Sequence, residues 1–208
     1  MTMKQLVIAT RNSGKLREFR DLLLPLKCEV LSLTDASIGA DIEESGCSFA
    51  ENARLKAVEY SHLTGIPVLA DDSGLEVEAL GNRPGIHSAR YAGPAASDSD
   101  RICKLLGELE VSGCVRNARF VCALALAQNG VLLHESEGEC RGIIAPEPRG
   151  TGGFGYDPVF YFPELGKTYA ELTGEEKNRH SHRAHAVASL MRKITGVRRQ
   201  NRSSGGGE

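Results

Sequence analysis

Two hydrophobic periods alternate along this chain, and the switches between them mark its elements. The opening run "LVIAT", Leu6 to Thr10, is apolar and β-branched without interruption, the pattern of a strand buried on both faces. From Gly14 to Leu24 the period becomes helical. Leu16, Phe19, Leu22 and Leu23 share one stripe, and Pro25 predicts the stop. A short strand over "CEVLSL" follows. After an acidic loop, "CSFAENARLKAVEYSHLTG" predicts a helix that Ser48 and Glu51 open with capping-box spacing and Gly65 closes.

The next segment, "PVLADDSGLEVEAL", predicts a strand that meets two aspartates, breaks into an Asp-Ser-Gly turn, and resumes with alternation. A turn-rich stretch, "GNRPGIHSARYAGPAASDSD", leads to a short helix over "SDSDRICKLLGEL". "ARFVCALALAQNGVLLHESEGECRGII" predicts two strands joined at Asn129-Gly130, because both residues tolerate the positive φ of a tight hairpin turn. A glycine loop, "RGTGGFGYDP", feeds another strand, and Thr173 with Glu176 fits a second capping box. A final helix over "SHRAHAVASLMRKITG" has Ser181 as its cap and Gly196 as its end. Parallel-type strands, helices and one clear hairpin together predict an α/β fold with a mixed sheet.

Composition narrows this picture. With 208 residues, 41% of them hydrophobic, the chain can bury a sizeable core, read as one domain over 1–196. Residues 197–208 are polar and rich in Ser and Gly, the pattern of a disordered tail. A net charge of −2 supplies no global basic field, so no nucleic-acid partner is expected and any phosphate must be met by local charge. The first apolar run is too short for a secretory leader, and no segment suits a membrane span. The six cysteines show neither a CxxC pair nor finger spacing, which suggests reduced thiols, several of them buried, in a cytoplasmic protein.

Three strand ends carry candidate chemistry, and ligands of α/β sheets collect at such ends. In "TRNSGK", Thr10, Asn12 and Ser13 offer donors, Gly14 permits close backbone approach, and Lys15 adds a cation beside a helix N-terminus. That combination suits an anion, although an ordinary strand-to-helix turn capped by Ser13 has the same look. It is not a Walker P-loop, because GxxxxGK[ST] is absent. In "ADDSG", adjacent extended residues point to opposite faces, so one carboxylate faces a site. Asp72, leading into the turn, is the candidate. In "GTGGFGYDP", four glycines around Phe154 and Tyr156 suggest a backbone laid against a flat ligand with an aromatic ring available to stack.

Two further groups complete the set. "EESG" is an acidic loop, and Glu44 with Asp72 would supply the one or two carboxylates that a hard cation such as Mg²⁺ takes alongside phosphate and water. A solvated acidic loop is the plainer reading of that stretch alone. Lys177, His182 and Arg183 gather cation and donor groups near the last helix, where a charged helix face is the usual outcome.

Taken together, "ATRNSGK", "EESGCSFAENARLKA", "ADDSGLEVEALGNRPGIHSARYAG", "EPRGTGGFGYDPVF" and "KTYAELTGEEKNRHSHR" resemble the inosine triphosphate pyrophosphatase-like family, in its bacterial dITP/XTP branch. The likeness spans roughly Leu6 to Leu190. It implies an elongated fold of two lobes with a long mixed sheet and the site in the cleft between them. It further implies Mg²⁺-dependent hydrolysis of non-standard purine nucleoside triphosphates (ITP, dITP, XTP) to monophosphate and pyrophosphate by a cytoplasmic homodimer.

By position, Thr10, Arg11, Asn12, Ser13, Gly14 and Lys15 would hold the triphosphate, with Lys56 a weaker addition. Glu44 and Asp72 would meet Mg²⁺, and Asp72 would accept a proton. Ser73, Phe154, Gly155, Tyr156, Asp157, Lys177, His182 and Arg183 would contact substrate. Arg11 stands where many bacterial members have Gly, which leaves the path of that loop open. An aspartate of ordinary pKa, near ~3.9, is a weak base at neutral pH, so a metal-bound water is the expected nucleophile. The rival readings are a nucleotide sensor without turnover and a phosphotransferase, the latter opposed by the missing P-loop and kinase motifs.

Overall fold

The computed structural model describes residues 3–112 and 115–196, so Cys114 and the 197–208 tail lie outside the described residues. β1 (Gln5–Ala9) pairs in parallel with β2 (Glu29–Ser32) on one side and β3 (Val68–Val77) on the other. Beyond β3 every pairing is antiparallel, through β5 (Asn117–Gln128), β6 (Val131–Ile144), β7 (Phe160–Phe162) and β8 (Lys167–Thr168). A two-residue β4 (Arg83–Pro84) pairs with the far end of β3. The result is one eight-stranded mixed sheet flanked by helices, ordered β2-β1-β3-β5-β6-β7-β8 with β4 off the path. The hairpin turns at Asn129 and Gly130, with φ of 52° and 76°, as their chemistry predicts.

The helices start and stop on the residues the pattern singled out, with shifts of one or two positions. α1 (Ser13–Leu22) is capped by Asn12, whose side chain accepts from Lys15 N–H, so Ser13 is the first helical residue rather than the cap. α2 (Phe49–Thr64) has Ser48 as its cap and left-handed Gly65 as its end. Glu51 does not close the capping box, since its carboxylate accepts from Cys47 N–H. α3 (Asp98–Ser112) follows the turn-rich stretch. α4 (Gly174–His180) carries the complete Thr173–Glu176 box, and α5 (His182–Thr195) is capped by Ser181 and closed by Gly196.

Three apolar clusters set where a site can form. α1 and α5 cover one face of the sheet, burying Phe19, Leu6, Ile8, Leu69, Leu124 and Leu190. α2 covers the opposite face, with Ala53, Ala57 and Tyr60 against Val7, Val68 and Ala125. The third cluster lies at the far ends of β3 and β5, where Leu75 and Phe120 meet Leu105, Tyr156, Phe160 and Tyr169. Each fully buried Leu or Phe stabilises the fold by roughly 1.5–3 kcal/mol. On β3, Leu69 belongs to the first cluster and Leu75 to the third, which leaves Asp71 and Ser73 between them on that same face.

One prediction fails here. β3 does not break at Asp-Ser-Gly. Ten consecutive residues pair with β5, from Val68↔Ala127 to Val77↔Ala118, with Asp71, Asp72 and Ser73 inside the ladder. The local turn preference of Asp, Ser and Gly is overridden by the backbone bonds of a paired strand buried in the sheet.

Candidate active site

The continuous strand sends Asp71 and Asp72 to opposite faces, and their surroundings differ. Asp71 is fully buried and pairs with Lys15 Nζ at 2.8 Å, while Ser73 Oγ donates to the same carboxylate oxygen at 3.1 Å. Its other oxygen, Oδ1, has no hydrogen-bond partner in the structure. Burial opposes its ionisation, but Lys15 and Lys56 outweigh burial and hold it below the ordinary carboxylate value. From Ser73 the network continues outward. Arg183 donates to Ser73 Oγ at 3.3 Å and pairs through Nε with Glu18. Glu18 also meets Lys177 Nζ at 2.8 Å, and that lysine bonds Asp157 at 2.5 Å.

The Asp72 face is less neutralised. Asp72 accepts from Asn52 Nδ2 at 3.0 Å. Lys56 Nζ donates to Glu44 at 2.6 Å and to the Asp71 carbonyl at 2.6 Å. Burial pushes Asp72 up to about 6, and the negative charge of Glu44 adds to it against the pull of Lys56. The premise of a weak, ordinary aspartate is thereby corrected: an acid titrating near 6 is matched to proton transfer at neutral pH. Asp72, without a direct cation, and Glu44, paired with Lys56 and Arg90, are the oxygen donors that a hard divalent cation would use here. Among the described residues no third Asp, Glu, His or Cys joins them, so phosphate and water would complete the shell.

The glycine loop closes the other side. Gly153 and Gly155 take φ of 73° and 63°, which lets the chain fold back so that Phe154 N–H donates to Asp157 at 2.9 Å. The Phe154 ring lies on the backbone of Gly14, where a Cβ would collide with it. Lys177 and Arg183 approach its face at 4.9 and 5.1 Å from the ring centre. Tyr156 is not available to stack: it is buried in the third cluster and its hydroxyl donates to the Ser88 carbonyl at 3.0 Å. Gly138 lets α5 lie against β6, since a Cβ there would strike the backbone of His182 and Ala186, and this fixes the start of α5 at the site.

Arg183 can only donate, so His182 Nε2 accepts from it at 2.9 Å and Nδ1 carries the proton, without a partner. Burial, then the positive charges of Arg183 and Lys177, keep His182 neutral, far below its ordinary pKa.

Two adjoining spaces run through these residues. A pocket of about 110 Å³ is lined by Asn12, Lys15, Ser73, Phe154, Gly155, Tyr156, Asp157, His182 and Arg183, among others. A cleft of about 620 Å³ lies beyond Phe154 and includes Arg11, Ser13, Gly14, Glu18 and Lys177. Thr10 supports this loop by accepting from Asn12 N–H at 3.2 Å. Asp72, Glu44 and Lys56 stand on the α2 side of β3, and Lys15 acts on both sides, its charge lowering the pKa of Asp71 and of Asp72. Arg11 sits at the cleft mouth with its guanidinium bound to Asp41 and to the Gly39 and Ala40 carbonyls.

Sequence reasoning missed three members of this site. Glu18 lies three residues after Lys15 and Asn52 lies four before Lys56, spacings that put each pair on one helix face. Asp71 shares its strand face with Ser73, as the period of two requires.

The fold and site define an α/β protein whose cleft is lined by alternating cationic and acidic side chains, with the Asp72 and Glu44 carboxylates across β3. The chain belongs to the Ham1 family, whose sequence profile matches residues 6–193. It is 56% identical over 189 residues to the dITP/XTP pyrophosphatase of Geobacillus kaustophilus, covering 90% of this chain and 93% of that one. It is 51% identical to the protein of the same name from Gloeobacter violaceus, over 91% of this chain and 93% of that one. Among solved structures, a HAM1 protein from Coxiella burnetii superposes with a TM-score of 0.84 at 45% identity, covering 94% of this chain and all of the other.

Proposed function

We propose that this chain hydrolyses non-standard purine nucleoside triphosphates, ITP, dITP and XTP, to the monophosphate and pyrophosphate. Its relatives bear the name dITP/XTP pyrophosphatase, and its own geometry supplies the chemistry that name requires. The observation that carries the reading is Lys15, which stands between the Phe154 pocket and the Asp72–Glu44 pair. A nucleotide with its base against Phe154 would run its phosphates past that lysine to the carboxylates. Residues 1–196 act in this reading as one domain of two lobes, working in the cytoplasm as a homodimer. Among the described residues no helix is long and apolar enough to cross a membrane.

In the mechanism, Thr10, Asn12, Ser13 and the backbone around Gly14 hold phosphate oxygens, and Lys15 neutralises charge that develops on them. Ser73 links Asp71, the partner of Lys15, to Arg183 through its hydroxyl. Asp72 takes the proton of the water that adds across the anhydride between α- and β-phosphates, and pyrophosphate leaves. Lys56 holds Glu44 through its ammonium and would add a further cation near the phosphates. Mg²⁺ held by Glu44 and Asp72 would supply charge neutralisation and a more acidic water. Stacking on Phe154 does not separate purines, because every base has a π-face. Arg183 is a donor, so it favours hypoxanthine and xanthine, whose 6-oxo group is an acceptor, over the 6-amino group of adenine.

A turnover panel of ITP, dITP, XTP, GTP and ATP with Mg²⁺, read as pyrophosphate release, tests this. ITP, dITP and XTP should exceed ATP strongly in kcat/KM. Orthophosphate as the product, phosphate passed to an acceptor other than water, or tight ITP binding without turnover would each replace the reading.

A further inference from the structure

The turn-rich stretch between β3 and α3 has no part in the site so far, yet two of its bonds end on the glycine loop. Gly155 N–H donates to Asp98 Oδ2 at 2.6 Å, and Tyr156 Oη donates to the Ser88 carbonyl at 3.0 Å. The other Asp98 oxygen pairs with Arg101. That guanidinium is itself fixed, donating to the Ala89 carbonyl at 3.0 Å and the Ala96 carbonyl at 2.7 Å. Asp98 and Arg101 line the same 110 Å³ pocket as Phe154 and Arg183.

The consequence lies in the two amides that flank the Phe154 side chain. Phe154 N–H is taken by Asp157, which Lys177 of α4 holds. The next amide, Gly155 N–H, is taken by Asp98 at the start of α3. Two successive amides are therefore gripped by two carboxylates anchored on different helices, which fixes the backbone that carries the ring. Gly155, at a φ of 63°, is free to rotate if its acceptor is lost. We infer that Asp98 is a positioning residue for nucleobase recognition, setting the pitch of the Phe154 ring through the Gly155 amide while Arg101 holds the carboxylate in place. This rests on the purine triphosphate reading above, and it gives the α3 start a role in specificity rather than in phosphate chemistry.

Two variants of the full-length chain test this arrangement. Asp98→Ala removes both acceptor oxygens, whereas Asp98→Asn keeps one, enough for the Gly155 amide or for Arg101 but not for both. Steady-state kinetics with ITP and ATP in Mg²⁺ should give Asp98→Ala a KM for ITP raised about tenfold, the size of one lost hydrogen bond to a charged group. Its kcat should stay close to wild type and its ITP-to-ATP preference should narrow. Asp98→Asn should fall between Asp98→Ala and the wild type in KM and preference. Hydrogen exchange over residues 150–158 should show a protected Gly155 amide in the wild type and faster exchange there in Asp98→Ala. An unchanged KM and preference in Asp98→Ala would overturn the inference. If Asp98→Ala fails to fold, an unprotected Gly155 amide in the wild type overturns it alone. A wild-type chain inert toward ITP would instead sink the functional reading, while the exchange measurement still reports on the grip.

Discussion

Asp71 and Asp72 are neighbours on one strand, yet they sit in opposite electrostatic worlds. Asp71 meets Lys15, Ser73 and, through it, an alternating chain of Arg183, Glu18, Lys177 and Asp157. Asp72 meets one amide and no cation directly, while its neighbour Glu44 takes Lys56 and Arg90. Burial is severe for both, so the difference is the number of cations. The first carboxylate is held ionised as an anchor, and the second is driven up to about 6, ready to take a proton or a cation. A strand that turns adjacent acids to opposite faces thus gives them opposite pKa shifts.

The largest test of that contrast is Asp72→Asn. Turnover should fall by at least ~10²-fold, the lower end of what a positioned general base contributes, with the fold kept, as circular dichroism and a thermal melt would record. Activity within about tenfold of wild type, roughly 1.4 kcal/mol of barrier, would take Asp72 out of the reaction.

Arg183→Ala probes the Asp71 side. It leaves Glu18 with one cation and the base pocket without its fixed donor, so kcat/KM for ITP should fall by about 10–100-fold. ATP activity should fall less. An unchanged ITP-to-ATP ratio would mean the base is read by other groups.

Glu44→Gln should act on the metal and not on the base. Activity should vanish in EDTA and return with Mg²⁺, and the variant should need about tenfold more Mg²⁺ for half-maximal rate, the effect of weakening one ligand contact by ~1.4 kcal/mol. Full activity in EDTA would remove the cation from this site.

Glu18→Gln sharpens the comparison through pH. Burial opposes the charge of Glu18, but Arg183 and Lys177 hold its pKa below the ordinary 4.5. A carboxylate depressed in the folded state stabilises the protein above its unfolded pKa, and that contribution disappears as pH falls through the folded value. Chemical denaturation should therefore find Glu18→Gln less stable at pH 7 by about 1–3 kcal/mol, with the gap shrinking below pH 4.5. A gap that grows toward acid would reverse the sign and refute the assignment.

Much of the fold was legible before any tertiary contact was known. The period switch near Gly14, the Asn129-Gly130 hairpin, the Thr173–Glu176 box, the Ser181 cap and the Gly65 and Gly196 stops all stand where the pattern put them. Each depends on residues within a turn or two of itself, so the chain carries the whole of the information locally. The glycine loop was legible for the same reason, though which of its two aromatics faces the pocket was not.

What only the tertiary structure decided is who meets whom. Glu18 and Arg183 are 165 residues apart, Lys15 and Asp71 are 56 apart, and Gly155 and Asp98 are 57 apart. No local period encodes such pairings. They follow from the order of strands in the sheet, from α5 lying close against β6 at Gly138, and from β5, whose ten paired residues hold Asp-Ser-Gly extended against its own turn preference. The charge state of a carboxylate depends on burial and on the cations that the fold brings within a few ångströms of it. The sequence by itself therefore determined which residue types stand at the strand ends, and the packed sheet decided which of the two aspartates is held below its ordinary pKa and which is raised above it.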